Sequence, residues 1–409
     1  MALIRTFKAI RPKSNLTKEV AELPYDVVTS KEAKSIAQSN EYSFYHVIKP
    51  EISLPDDVNI YDRSVYELGK SNLKSFIDSG ILIEDEKPRF YLYTLVRNNR
   101  SQTGIVASVS VDDYEKGIIK KHEKTREDKE RDRTEHLNTV NANTGPVFMT
   151  FNHDGSKSDL FKKAMDVAPR CDFTDDNGIR HIVRVIDDGS LIESFIEYFS
   201  NDNLYIADGH HRAASAYNVA LARKKENPGH TGNEEYNWFL GVIFPHDELE
   251  ILPYNRVVKD LNGMTDADYL AKLNDNFIVT ETAEKVPTAK KCFSMYLNGK
   301  WYSLKYKKEV DDNPVNSLDV KILEDRVLCP LLGIDDPRTD KRIDFVGGIK
   351  GTDELERLVD SGEYGVAFSL YATSIEELIE ISDCDLLMPP KSTWFEPKLM
   401  SGLFVHMLD

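Results

Sequence analysis

Apolar positions along this chain follow two rhythms. Phe90-Tyr91-Leu92-Tyr93-Thr94-Leu95-Val96 and Ile105-Val106-Ala107-Ser108-Val109-Ser110-Val111 are aromatic and β-branched runs flanking the polar Asn98-Asn99-Arg100-Ser101, the pattern of a β-hairpin. From Pro146 onward the two rhythms alternate: Val147 to Phe151 and Ile179 to Ile186 read as strands, Leu160 to Val167 and Leu191 to Phe199 as helices. Trp238 to Phe244 is another strand, Ala267 to Phe277 is helical, and Cys292 to Leu297 with Trp301 to Tyr306 forms a hairpin across Asn298-Gly299. Gly365 to Tyr371 and the acidic helix Ile375 to Ile381 continue the mixture, so the fold class is mixed α/β. The segment Leu252 to Leu261 leads out of the first alternation, and the predicted division is residues 1–260 and 261–409.

Two stretches depart from these rhythms. Lys116 to Glu135 is dense in both charge signs, the pattern of a solvated helix laced with i,i+4 pairs. Asn141-Ala142-Asn143-Thr144-Gly145-Pro146 supplies turn chemistry before the next strand.

Composition narrows the function classes. At 409 residues the chain suits two domains, and 41% hydrophobic with 30% charged residues describes a globular protein. A formal net charge of −17 provides no basic field for a nucleic-acid backbone. Cys171, Cys292, Cys329 and Cys384 lack C-x-x-C spacing, which suggests neither zinc nor a disulfide framework, and reduced cytoplasmic thiols are expected. No signal peptide and no membrane span are predicted.

The richest chemistry lies at Leu204-Tyr205-Ile206-Ala207-Asp208-Gly209-His210-His211-Arg212-Ala213-Ala214, where a strand-like run breaks and passes into an alanine-rich helix reaching about Lys225. A helix start presents N–H groups without intrahelical partners to an anion, with phosphate the obvious candidate. Gly209 permits close backbone approach, Arg212 offers a planar fork, and His210 or His211 can donate to an oxygen or move a proton. The plainer reading leaves Asp208 as a helix cap and Arg212 in a surface ion pair. Near the N-terminus, Leu23-Pro24-Tyr25-Asp26 sets a carboxylate behind a proline-stiffened turn. Lys391-Ser392-Thr393 follows Met388-Pro389-Pro390, either as an exposed turn or as a phosphate clamp from the second domain. Ile343 to Gly351 is glycine-rich without the Gly-Lys-Ser/Thr ending of a P-loop, and reads as a turn. The chain has no His-Glu-x-x-His and no Gly-x-Ser-x-Gly, and adjacent histidines are poorly arranged for one metal.

The Asp208 to Arg212 string resembles the second signature of the ParB/sulfiredoxin-like fold, where sulfiredoxins carry Gly-Cys-His-Arg and ParB-type proteins Gly-Glu-Arg-Arg before a small-residue helix. The whole chain resembles the family designated domain of unknown function 1015. The resemblance rests on Asp-Gly-His-His-Arg, on Ile10-Arg11-Pro12 with Leu23 to Val28, and on Met388 to Phe395 with Pro397-Lys398. His122-Glu123 and the acid/base residues after them correspond to a recurring family string. Free-serine kinases are the relatives of this fold with known chemistry. The resemblance implies a ParB/sulfiredoxin-like nucleotide-binding core with a second α+β domain, ATP or ADP with Mg²⁺, and phosphoryl transfer to a small hydroxyl metabolite, L-serine first. It implies Asp26 as general base or magnesium ligand with Glu22 second, Asp208 and His211 as further catalytic groups, and Gly209, His210, His211, Arg212 and Lys391 as nucleotide contacts. The alternative is a nucleotide- or metabolite-sensing regulator that uses the same pocket with slow or no turnover.

Overall fold

A computed structural model describes residues 2–153, 155, 158–310 and 312–409. Mixed α/β layering is observed. The chain divides into two compact units: Met1–Lys121, Thr125–Leu249 and Pro397–Asp409 form the first, His122–Lys124 and Glu250–Glu396 the second. The cut therefore falls at Leu249/Glu250 rather than at 260, and the last residues of the chain return to the first unit.

The first unit is built on a nine-stranded sheet in the spatial order Ile119–Lys120, Leu204–Asp208, Val147–Phe151, Trp238–Pro245, Arg100–Ser110, Phe90–Arg97, Arg180–Ile186, Pro169–Thr174, with Ile4–Arg5 pairing Arg100–Ser110 off this path. Its spine is the expected hairpin, turned by Asn98 and Asn99 at φ 50° and 63°. Two consecutive residues in the left-handed region make a turn whose twist matches its strands, and asparagine tolerates that region well. Val147–Phe151 lies parallel to Trp238–Pro245 and antiparallel to Leu204–Asp208. Between Ile206 and Asp208 the register slips, so Ala207 is an extra residue and the strand bends just before its end.

Helix His210–Glu226 follows that bend. It buries the small residues Ala213, Ala214, Ser215, Ala216 and Ala220, and Arg223, Lys224 and Lys225 complement the dipole in its last turn. Small side chains let helix Glu127–Val140 come close, and the two are tied by Asn218 Nδ2 donating to Glu130 Oε1 at 2.8 Å and by Ser215 Oγ to Glu130 O. The long charged helix expected over 116–135 is thus corrected. Val111–Glu115 is a short helix, Ile119–Lys120 a strand, and only Glu127–Val140 continues helically, with Asp132, His136, Leu137 and Val140 buried. No helix among the described residues is long and apolar enough to cross a membrane.

The second unit holds a six-stranded antiparallel sheet ordered Phe277–Thr282, Lys300–Tyr306, Cys292–Leu297, Val366–Leu370, Tyr254–Val258, Ile343–Gly347. Helix Gly351–Asp360 buries Leu355 and Leu358 against Val257, Tyr296, Trp301 and Ala367. Two expectations change here. The helix predicted to Phe277 ends at Leu273, because Phe277 opens the edge strand, and the glycine-rich Ile343 to Gly351 is a strand followed by a tight helical turn. All four cysteines are free thiols.

Candidate functional site

The conformation at Gly209 organises the site. It sits at φ 94° immediately before helix His210–Glu226, and a Cβ there would lie 3.0 Å from Arg212 Nε. Glycine is required twice over, for the left-handed backbone and for the guanidinium laid across it. Gly145 approaches the same group from the other side, where a Cβ would stand 3.0 Å from Ser401 Oγ and 3.8 Å from Arg212 Nη1. Arg212 Nη1 donates to Pro146 O, while its buried Nε has no hydrogen-bond partner among the described residues.

Arg212 lines a cleft of about 470 Å³, open mouth included, together with Tyr25, Arg133, His136, Asn143, Thr144, Gly145, Ser215 and Ser401. Arg133 packs over the Tyr25 ring at 4.2 Å to its centroid and is braced by Asp132, whose Oδ2 lies 2.7 Å from Nη2. Tyr66 OH donates to the other oxygen of Asp132 at 2.8 Å. Burial is the main cause that pushes the Tyr25 phenol up, although both Arg133 and Arg212 act to lower it. The cleft lining contains two guanidinium groups and no carboxylate. Such a lining can receive an anion and repels a bare cation.

Asp208 has a different environment from the one anticipated. Its Oδ1 accepts the Gly209 N–H at 2.8 Å and its Oδ2 accepts Lys398 Nζ at 3.0 Å. Burial opposes its charge, but Lys398 and Arg212 outweigh that and hold the carboxyl below the usual carboxylate range. A carboxylate so stabilised is a poor proton acceptor and a good anchor for the Gly209 turn. His211 accepts the Arg126 N–H on Nε2 at 3.1 Å, which leaves Nδ1 as its protonated nitrogen when neutral. His210 is buried at the helix start, and its charge interaction with Asp208 also lowers that carboxyl.

Asp26 is exposed in the turn closed by Val27 N–H to Pro24 O, one residue after Tyr25 of the cleft. Glu22 is buried and accepts from Ser43 Oγ; burial pushes its carboxyl up to about 7. Its backbone exchanges both hydrogen bonds with Ser401, which links it to the cleft lining. Lys391 belongs to the second unit and is not a lining residue. Its backbone is left-handed at φ 58°, its carbonyl accepts from Arg256 Nη2 at 3.0 Å, and its ammonium stands 5.5 Å from the Tyr254 ring centroid. His122 and Glu123 also fall in the second unit.

Tyr25, Arg133, His136, Asn143 and Ser401 were not singled out by sequence reasoning. Arg133 lay in a charge run whose average looked solvated, although the family resemblance implied that some acid/base residues of that run face the site. The available signal was positional, since His136, Leu137 and Val140 place one face of that helix inward beside Arg133.

The model of the family described as protein of unknown function (DUF1015) matches residues 4–321. No curated protein matches the chain. Among solved structures, the chain is similar to a free serine kinase in complex with AMP, with 14% identity and a TM-score of 0.36 over 71% of this chain and 86% of that one. It is also similar to SbnI with C-terminal truncation from Staphylococcus aureus, with 13% identity and a TM-score of 0.39 over 72% and 85%. A conserved hypothetical protein from Pyrococcus furiosus gives 14% identity and a TM-score of 0.35 over 74% and 95%.

Proposed function

We propose that this chain, which belongs to the DUF1015 family of proteins of unknown function, is a nucleotide-dependent phosphotransferase that acts on a small hydroxyl metabolite. The carrying observation is the cleft in which Arg212, laid across Gly209 at a helix start, and Arg133 meet without a facing carboxylate. Phosphoryl transfer asks a protein chiefly for positioned positive charge and oriented donors, which two guanidinium groups and a helix start supply. L-Serine is the first acceptor to try, on the strength of the sequence resemblance.

In this reading Arg212 and Arg133 bind phosphate oxygens of ATP or ADP, with Gly209 giving the backbone room. The acceptor oxygen attacks the terminal phosphorus, the bond from phosphorus to the leaving nucleotide oxygen breaks, and the hydroxyl proton passes to the Asp26 carboxylate. Asp208 is a positioning residue that holds the turn through Gly209 N–H and Lys398. His211, which accepts the Arg126 N–H on Nε2, stands at the same helix start. The exposed Asp26 beside a cationic cleft fits a magnesium ligand, whereas Asp208 does not, because an ammonium already lies 3.0 Å from its Oδ2. When bound, magnesium would supply charge neutralisation on the phosphates.

The test is incubation of the purified chain with magnesium, ATP or ADP, and a panel of hydroxyl metabolites including L-serine, read by mass spectrometry. Phosphorylated acceptor that disappears in Arg212→Ala supports the reading. Nucleotide binding without product would instead make the protein a sensor that uses the same cleft.

A further inference from the structure

The cleft contains, beside its two arginines, a histidine whose tautomer and an asparagine whose amide orientation are set by what lies behind them. His136 Nε2 is 3.0 Å from the Val47 carbonyl. A carbonyl only accepts, so Nε2 carries the proton, and in the neutral ring Nδ1 is a bare lone pair. Burial and the neighbouring Arg133 keep the ring neutral, lowering it to about 4. Asn143 is set by a longer chain. His406 Nε2 lies 2.8 Å from Glu235 Oε2, and since a carboxylate only accepts, the proton sits on Nε2 and Nδ1 is bare. That bare Nδ1 is 3.3 Å from Asn143 Nδ2, so the amide must turn its NH₂ toward His406. The carbonyl Oδ1 is then the acceptor Asn143 has left for a ligand. Glu235 is itself held by Arg5, which stacks over Trp238 at 4.3 Å to the ring centroid. His406 is buried, and burial pushes it below the usual histidine range despite Glu235.

We propose that His136 Nδ1 and Asn143 Oδ1 form an uncharged acceptor pair that reads a hydroxyl group next to the anion held by Arg212 and Arg133, with His406 as the positioning residue for Asn143. The ligand class is a hydroxyl-bearing phosphate ester; the inference rests on the anion-binding reading of the same cleft. At this position beside the guanidinium groups, two lone-pair acceptors match the O–H of a hydroxyl. The hydroxyl comes either from the ribose of a nucleotide or from the carbon skeleton of a phosphorylated metabolite.

Two pairs of probes distinguish these sources by calorimetry on the full chain: AMP against 2′,3′-dideoxy-AMP, and glycerol 3-phosphate against propyl phosphate. Within at least one pair, the hydroxylated member is expected to bind about tenfold tighter or more, because its absence leaves buried acceptors unpaired. That preference collapses in Asn143→Leu and shrinks in His406→Phe. The wild-type comparison needs no variant, so it stands even if a variant fails to fold. Equal affinities within both pairs, or a preference unchanged in a folded Asn143→Leu, overturn the acceptor pair. Failure of all four probes to bind overturns the anion-binding reading together with it.

Discussion

At the scale of single residues, the two N-terminal carboxylates have different environments. Asp26 is exposed beside the cleft, and if it takes the acceptor proton, Asp26→Asn lowers turnover by about 10²-fold or more with nucleotide affinity nearly intact. If it holds magnesium instead, the same change weakens the magnesium-dependent part of binding, and added magnesium partly restores the rate. Kinetics at wild-type level with only a shifted melting temperature would make it a turn residue. Glu22 is buried with its carboxyl raised to about 7 from an ordinary 4.5. Between those values the folded chain keeps a proton that the unfolded chain has lost, so this group makes stability fall as pH rises through the window. His136, lowered to about 4, acts in the opposite sense below its ordinary 6.5, so the wild-type profile mixes the two. The difference between Glu22→Gln and wild type isolates one of them. The variant gains up to roughly 3 kcal/mol at pH 8, and the gain vanishes near pH 4.5. Denaturant unfolding at both pH values measures this, and a gain independent of pH would contradict it.

At the scale of elements, the junction of strand Leu204–Asp208 with helix His210–Glu226 concentrates the strain of the site. Gly209→Ala forces a Cβ into a φ of 94° and to 3.0 Å from the Arg212 guanidinium. The expected cost is about 1–2 kcal/mol of stability together with weakened phosphate binding, because Arg212 must move. A melting curve with a binding titration checks both, and a variant that melts normally and binds normally would show that the guanidinium does not depend on this glycine. This junction was legible in the sequence because it announces itself locally, through a short apolar run, Asp-Gly and an alanine-rich stretch. The Asn98-Asn99 hairpin was legible for the same reason. Helix Glu127–Val140 was misplaced because its inward face is made of Asp132, Arg133 and His136, polar groups whose partners, Tyr66, Tyr25 and Val47, are distant in sequence. Tertiary pairing of that kind dilutes the periodic signature that Leu137 and Val140 would give alone.

At the scale of the whole molecule, charge and site pull in opposite directions. The chain carries a formal −17, yet the cleft at Arg212 has two arginines and no carboxylate among its described lining residues. Bulk charge therefore carried no information about one concavity. The return of Pro397–Asp409 to the first unit was equally hidden, since Lys398, Ser401 and His406 acquire their partners Asp208, Glu22 and Glu235 only through the fold. The most direct measurement is a calorimetric titration of ADP into the full chain, wild type and Arg212→Ala, with melting temperatures recorded in parallel. Saturable binding that weakens about tenfold or more in a variant that is still folded at the temperature of the titration is the predicted result. Equal affinity in a folded Arg212→Ala, or no binding by the wild type, would contradict the assignment of the cleft.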